Sequence, residues 1–459
     1  MKWETSMKLN FITHWLIIGI FATTLMGCDL AELFDKVNTV TKVKEHWWEK
    51  KKPLQDILKR KLTREANTLH NSLRVVDLHA DTILWGGDLF QDNARGHLDI
   101  PRLLRGGTGL QVFATVTHSS WDLILGDSEN VRDLGISPSG DPITQLAVEL
   151  NWPEETKTNY LARTLYMASL LKEAAAKPGS PLRVIRYRSD LEGFLMEYET
   201  NRSIIAGLLA MEGVYTSQDR EGPYTEDQIS ADFATLFDAG IRMMSVVHFV
   251  DNKLSGSSNG IQKNTPDDQG YRGTITEAGK HWVELMVEHG VIVDLAHLSS
   301  DAVDYLIAHT NVPLVRSHGG VRYESIPSGP QKNCAGERNL SDNQIIGIAN
   351  SGGVIGIGYW DKALCPGETL GPWDTVRAMK YVVNLLNQSP AFKGSQGVDH
   401  VALGSDFDGL VKVWGDAAHI NLLTQELLNA RFSHDDIRKI MGENALRVFS
   451  QVLPERPKS

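Results

Sequence analysis

Eight short apolar, β-branched runs, spread along most of the chain, do most to restrict its fold. They are Leu73–Leu78, Leu110–Val116, Ile204–Met211, Ile241–Val247, Val291–Leu295, Val312–Val315, Gly353–Gly358 and Val401–Leu403. Longer amphipathic stretches separate them. Strands that are apolar on both faces belong to parallel sheets covered by helices on each side. Eight strand–helix units predict an α/β fold, a (β/α)8 barrel of the TIM type, over residues 71–450, with 451–459 as a tail. That span is long for the fold, so inserted loops are expected after the second and fourth strands, at 118–158 and 252–273. Both fall on the face where barrels keep their active sites, which makes them lid candidates. Ser433, with Asp436 three residues on, predicts the start of the last helix, and Ile437, Ile440, Met441 and Leu446 form its apolar stripe.

The first 70 residues read differently. Lys2 and Lys8 precede an apolar run from Phe11 to Met26. It is short for a membrane span and suits the core of a signal peptide. The run ends in Leu25-Met26-Gly27-Cys28, which resembles a bacterial lipobox. That resemblance implies removal of residues 1–27 and a lipid on Cys28. Asp29 behind it resembles an inner-membrane retention signal. The expectation is a lipoprotein of the bacterial cell envelope, anchored through its N-terminus and facing the periplasm. Residues 28–70 read as a lipidated tether and a leading helix, with Leu54, Ile57, Leu58 and Leu62 at helical spacing. The run Lys50-Lys51-Lys52 either touches anionic lipid or is a solvated face. Two cysteines remain, Cys334 and Cys365; they close a disulfide in an oxidising compartment, or stay as buried thiols. A net charge of −11 without a basic stripe argues against nucleic acid as a partner.

The strand ends carry the chemistry. His79 and Asp81 close the first run, two apart and so on one face. An imidazole and a carboxylate are ligands of a catalytic zinc, which keeps one position open. The later runs end in Glu212, His248, His297, His318 and the pair Asp406 and Asp408. A barrel turns the C-terminal ends of all its strands toward one mouth, where residues far apart in sequence meet. Any one of these histidines alone reads as a satisfied polar residue, and a buried Glu212 needs a partner in any case. Together, three imidazoles (His79, His297, His318) and two carboxylates (Asp81, Glu212) match two metals that share Glu212.

Several separated stretches, in order, resemble the membrane dipeptidase family of zinc peptidases in the amidohydrolase superfamily. They are Val76-Asp77-Leu78-His79-Ala80-Asp81, Asp99-Ile100-Pro101-Arg102-Leu103, Met211-Glu212-Gly213, Asp294-Leu295-Ala296-His297-Leu298-Ser299, Ser317-His318, Glu337-Arg338-Asn339, Gly404-Ser405-Asp406-Phe407-Asp408-Gly409 and Met441-Gly442-Glu443-Asn444. The resemblance runs from about residue 70 to 450. It implies one zinc on His79, Asp81 and Glu212 and another on Glu212, His297 and His318, about 3.5 Å apart and able to hold a hydroxide between them. It further implies that His248 steadies the oxyanion, Asp406 is the acid/base, and Arg338 clamps the free carboxylate of a dipeptide. Asn252 is expected to help position the substrate, and Asp408 to orient a ligand. A homodimer is compatible with this reading.

A competing enzyme reading is another amidohydrolase, acting on a lactone or an N-acyl-amino acid. The lactonase-like members bridge their metals with a modified lysine on the fourth strand, where this chain has His248. From another class, a solute-binding lipoprotein predicts two hinged lobes and binding without turnover, which the eight-unit pattern disfavours. A barrel kept only as a scaffold would not need every ligand.

Overall fold

Nine parallel strands form one sheet among the described residues of the computed structural model, and eight of them close it into a barrel. The structure describes residues 55–457, apart from 94, 121–140, 217–221, 259–272, 327–333, 335, 368 and 393–395. The strands are β1 (Val75–Ala80), β2 (Thr108–Val116), β3 (Leu182–Ile185), β4 (Ile205–Glu212), β5 (Ile241–Ser245), β6 (Ile292–Asp294), β7 (Val315–Arg316), β8 (Val354–Ile357) and β9 (Val401–Leu403). The sheet runs β2-β1-β9-β8-β7-β6-β5-β4, and pairing of β2 with β4 closes it. Helices follow the strands around the outside, which makes the fold a (β/α)8 barrel.

The short strand β3 was not expected. It pairs with the first half of β4, through Leu182↔Ile205 to Ile185↔Leu208, while β5 pairs with the second half from Leu209 on. It therefore extends the sheet without joining the barrel circuit. Four residues that include Arg183 leave too little apolar periodicity to stand out.

Local sequence sets where the helices begin. Asp99, Asp141, Thr225, Thr276, Ser299, Ser341 and Ser433 each accept a hydrogen bond from a backbone N–H in the first helical turn. The expected loop at 118–158 is corrected within its described part. Asp141 caps a helix, Pro142–Glu149, and a 3-10 turn follows at Glu154–Lys157. Most of the second insertion lies outside the described residues, as do Cys28, the signal segment and the Lys50–Lys52 run. The single leading helix is also corrected, to a turn at Gln55–Leu58 and a helix at Arg64–His70 started by Thr63. No helix among the described residues is long and apolar enough to cross a membrane.

Ser433 starts the last helix through the expected capping box, but the helix is not continuous. A π-helical segment, Lys439–Glu443, precedes Asn444–Val452. Gly442 explains the interruption. A β-carbon there would lie 1.8 Å from the Arg74 carbonyl oxygen, at the entry to β1. Asn444 then donates to the Val398 and Val401 carbonyls, both at 2.8 Å, and locks the entry to β9. The Met441-Gly442-Glu443-Asn444 motif is thus a closure device on the barrel's N-terminal side. Gly442→Ala should destabilise the protein by about 2–3 kcal/mol through overpacking, measured as a lowered midpoint of chemical denaturation.

Candidate metal centre

Strand alternation in β1 places Val76 and Leu78 in the apolar core, alongside Phe194, Tyr198 and Phe449. Asp77 and His79 therefore point the other way. His79 Nε2 ends 3.3 Å from Asp81 Oδ1 and 3.5 Å from Glu212 Oε2, Glu212 being the last residue of β4. The other Glu212 oxygen, Oε1, lies 2.8 Å from His297 Nε2 and 3.3 Å from His318 Nε2. His248 Nε2 is 3.7 Å from Glu212 Oε2, and Asp406 Oδ1 is 4.0 Å from His79 Nε2. All seven side chains are buried. Residues separated by as many as 327 positions thus meet at the C-terminal ends of six strands.

Two buried aspartates hold the strand ends in place. Asp77 accepts the backbone N–H of His79 and that of Ser405, which precedes Asp406. Asp294 Oδ1 accepts the N–H of Ala296 and of Ser317, which precede His297 and His318, each at 2.9 Å. Sequence reasoning passed over both. The available signal was an acid inside an apolar run, since a buried carboxylate needs partners. His297, Asp406 and Asp408 adopt left-handed backbone, with φ of 63°, 59° and 64°. Such residues rarely take that conformation, and its strain persists where the surroundings impose it.

The imidazoles are oriented from behind. His248 Nδ1 donates to the His118 carbonyl at 2.9 Å, and the His248 backbone N–H donates to the Tyr215 hydroxyl. Ser317 Oγ meets His318 Nδ1 at 2.8 Å, which leaves His318 Nε2 for the centre. Arg338 reaches inward from its loop. It donates to the His318 carbonyl at 3.2 Å, and its Nη2 lies 2.9 Å from His297 Nε2.

Electrostatics sharpen the picture. Burial opposes charge on His79, but Glu212 and Asp81 outweigh it and raise the imidazole well above its ordinary value. Burial would also raise Glu212, yet His248, His79 and His297 hold it well below the usual range. Burial and Arg338 keep His297 well below its ordinary value, and burial, His79 and Arg338 do the same to His318. Burial and Glu212 push Asp81 up to about 6.

The donor set fits metal ions. His79 Nδ1 and Nε2, Asp81 Oδ1 and His297 Nδ1 are buried without a hydrogen-bond partner among the described residues. His297 Nε2 and His318 Nε2 face one another at 3.1 Å, where two lone pairs need a proton or a cation. Three groups have ligand atoms close enough to share an ion: His79, Glu212 and His318; Glu212, His248 and His297; His79, Asp81 and Asp406. Neutral imidazole and ionised carboxylate are the states a metal takes up.

One expectation is corrected. Asn252 is buried and spends its whole amide on backbone: Nδ2 donates to the Val214 and Val246 carbonyls, and Oδ1 accepts the Leu254 and Ser255 N–H groups. It fastens the loop after β5 and has no hydrogen-bonding capacity left for a substrate. Asp408 accepts from Thr82 Oγ1, next to Asp81, and from the His97 N–H, and so anchors the segment after β1. Cys334 and Cys365 are joined in a disulfide, with 5.8 Å between their Cα atoms, which ties the Arg338 loop to the segment after β8.

The profile of the membrane dipeptidase family, peptidase family M19, matches residues 63–456. An uncharacterised Klebsiella pneumoniae protein from the region 5′ of pqqA is 28% identical over 238 residues, 50% of this chain and 80% of that protein. The dipeptidase aclJ of Aspergillus oryzae is 29% identical over 218 residues, and the match spans 46% of each chain. A Rhodobacter sphaeroides metallopeptidase, solved with a phosphinate mimic of the dipeptide L-Ala-D-Ala, has the same fold. It aligns with a TM-score of 0.59 at 20% identity, over 83% of this chain and 99% of that one. On the extent of the profile match, the chain belongs to the membrane dipeptidase family of metallopeptidases.

Proposed function

We propose that this enzyme is a zinc-dependent dipeptidase, hydrolysing dipeptides that carry a free C-terminal carboxylate. The observation that carries the proposal is the division of labour at Glu212, whose two oxygens face different imidazoles, His79 on one side and His297 with His318 on the other. His79, Asp81 and one Glu212 oxygen would hold one zinc ion. The other oxygen, with His297 and His318, would hold a second. Bound zinc supplies a Lewis acid for the substrate carbonyl and eases ionisation of water at neutral pH.

The chain's own groups do the rest. Asp406 takes a proton from the attacking water and passes it to the amine as the C–N bond breaks. Burial, with help from Asp81 and Glu212, pushes its carboxyl well above the usual range, which suits a group that must both accept and release a proton. His248, fixed through Nδ1 on the His118 carbonyl, presents Nε2 to the centre; burial lowers its pKa and Glu212 opposes that shift, and a proton on Nε2 would let it donate to the developing oxyanion. Arg338 offers a planar fork to the substrate carboxylate. We further propose that the protein is lipid-anchored at Cys28 and faces the periplasm. The Cys334–Cys365 disulfide supports an oxidising compartment.

Purified protein should hydrolyse unblocked dipeptides, in a panel that includes D-residues at the second position. A chelator should abolish that activity and zinc restore it, with two zinc ions per chain by elemental analysis. Undiminished hydrolysis by metal-stripped protein would overturn the proposal. Arg338→Ala should raise KM for dipeptides by about 10- to 100-fold, the worth of a charged hydrogen-bonded pair, with little change in kcat. Wild-type kinetics that do not distinguish a dipeptide from its C-terminal amide would remove Arg338 from this role.

A further inference from the structure

We propose that Arg316, which lies behind the site, is a positioning residue that sets where Arg338 can grip the substrate. The inference rests on the carboxylate-binding role proposed for Arg338. Arg316 ends β7 and is 1% exposed, one of the largest fully buried side chains in the protein. A buried guanidinium is costly unless its donors find partners. No carboxylate among the described residues lies within ion-pairing distance of it. It serves backbone instead: Nη1 donates to the Leu295 carbonyl at 2.5 Å, and Nη2 donates to the Arg338 carbonyl.

Those two carbonyls explain its value. Leu295 stands two residues before His297, and its own N–H donates to the Val315 carbonyl, next to Arg316. One rigid planar group therefore spans the strand that delivers His297 and the loop that delivers Arg338. The Arg338 guanidinium hangs over the same place, on the His318 carbonyl and beside His297 Nε2. The chain leaves room for the arrangement at Gly319, where a β-carbon would come within 2.9 Å of Arg316 Nε. The far side of the loop is tied independently. Asn339 Nδ2 donates to the Cys334 and Lys362 carbonyls, and the disulfide joins Cys334 to Cys365. Loss of Arg316 would thus free the Arg338 main chain on the metal side while the loop stays attached on the other.

The test compares a dipeptide with its C-terminal amide, using zinc-loaded Arg316→Met, Arg316→Lys, Arg338→Ala and the double variant Arg316→Met/Arg338→Ala. Arg316→Met should raise KM for the dipeptide by about tenfold, as expected for a misplaced binding group, and leave kcat and the KM for the amide near wild type. Arg316→Lys should fall in between. The double variant should be no worse than Arg338→Ala alone, because the two act through one guanidinium. Equal losses on both substrates, or additive losses in the double variant, would overturn the proposal. If Arg338→Ala discriminates between the substrates and Arg316→Met does not, this proposal alone falls. If Arg338→Ala does not discriminate, the carboxylate role falls and takes this proposal with it. Should Arg316→Met fail to fold, Arg316→Gln carries the same comparison.

Discussion

Glu212→Gln should lower kcat/KM by a factor on the order of 10⁴ and strip most of the metal from the protein, because it removes the one carboxylate the whole centre is built around. Four imidazole Nε2 atoms lie within 3.7 Å of its two oxygens: those of His79, His248, His297 and His318. Glutamine keeps the size but supplies one acceptor where two are used. Its NH2 group would face either His79 or the pair His297 and His318, and an N–H cannot bind a cation. The change also removes the negative charge that offsets protonation of His79. Elemental analysis and steady-state kinetics on the same preparation provide the check. Full metal content with near-normal turnover would show that Glu212 is only a buried partner for histidines.

Asp406→Asn should cost about 10²–10⁴-fold in kcat, the usual worth of a general acid/base, while metal content stays at the wild-type level. Asp406 sits on a left-handed backbone just after β9, and its Oδ1 stands 4.0 Å from His79 Nε2, farther than the carboxylates of Asp81 and Glu212. Gly409 makes the position possible, because a β-carbon there would fall 2.1 Å from Asp406 Oδ1. Asparagine preserves shape and one oxygen but neither accepts nor releases a proton near neutral pH. Asp406 can also share an ion with His79 and Asp81, so metal content is the deciding control. Turnover lost in step with metal would make Asp406 a ligand. Unchanged turnover would leave the proton transfers to another group.

The candidate ligands could be read from one dimension because strands are simple periodic objects. Apolar runs mark where a barrel strand lies, and the residues just past each run must stand at the mouth; His79 and Glu212 follow their runs directly, and His297, His318 and Asp406 come two or three residues on. Pleat alternation alone pairs His79 with Asp81. The fold class followed from the count of runs, and β3 was missed because four residues carry little periodicity. What three dimensions alone decided is which polar groups answer to which. Asn252 looked like a substrate residue, yet its amide is consumed by four backbone groups around it. Asp77 closes the site through Ser405, 328 residues away, and Arg316 joins two loops that no spacing connects. Hydrogen bonds of that kind have no local signature, because a buried donor's partner is set by how the chain closes on itself. The sequence determined the barrel and which side chains reach its rim; the closed sheet decided which of them converge around Glu212 and which hold the others still.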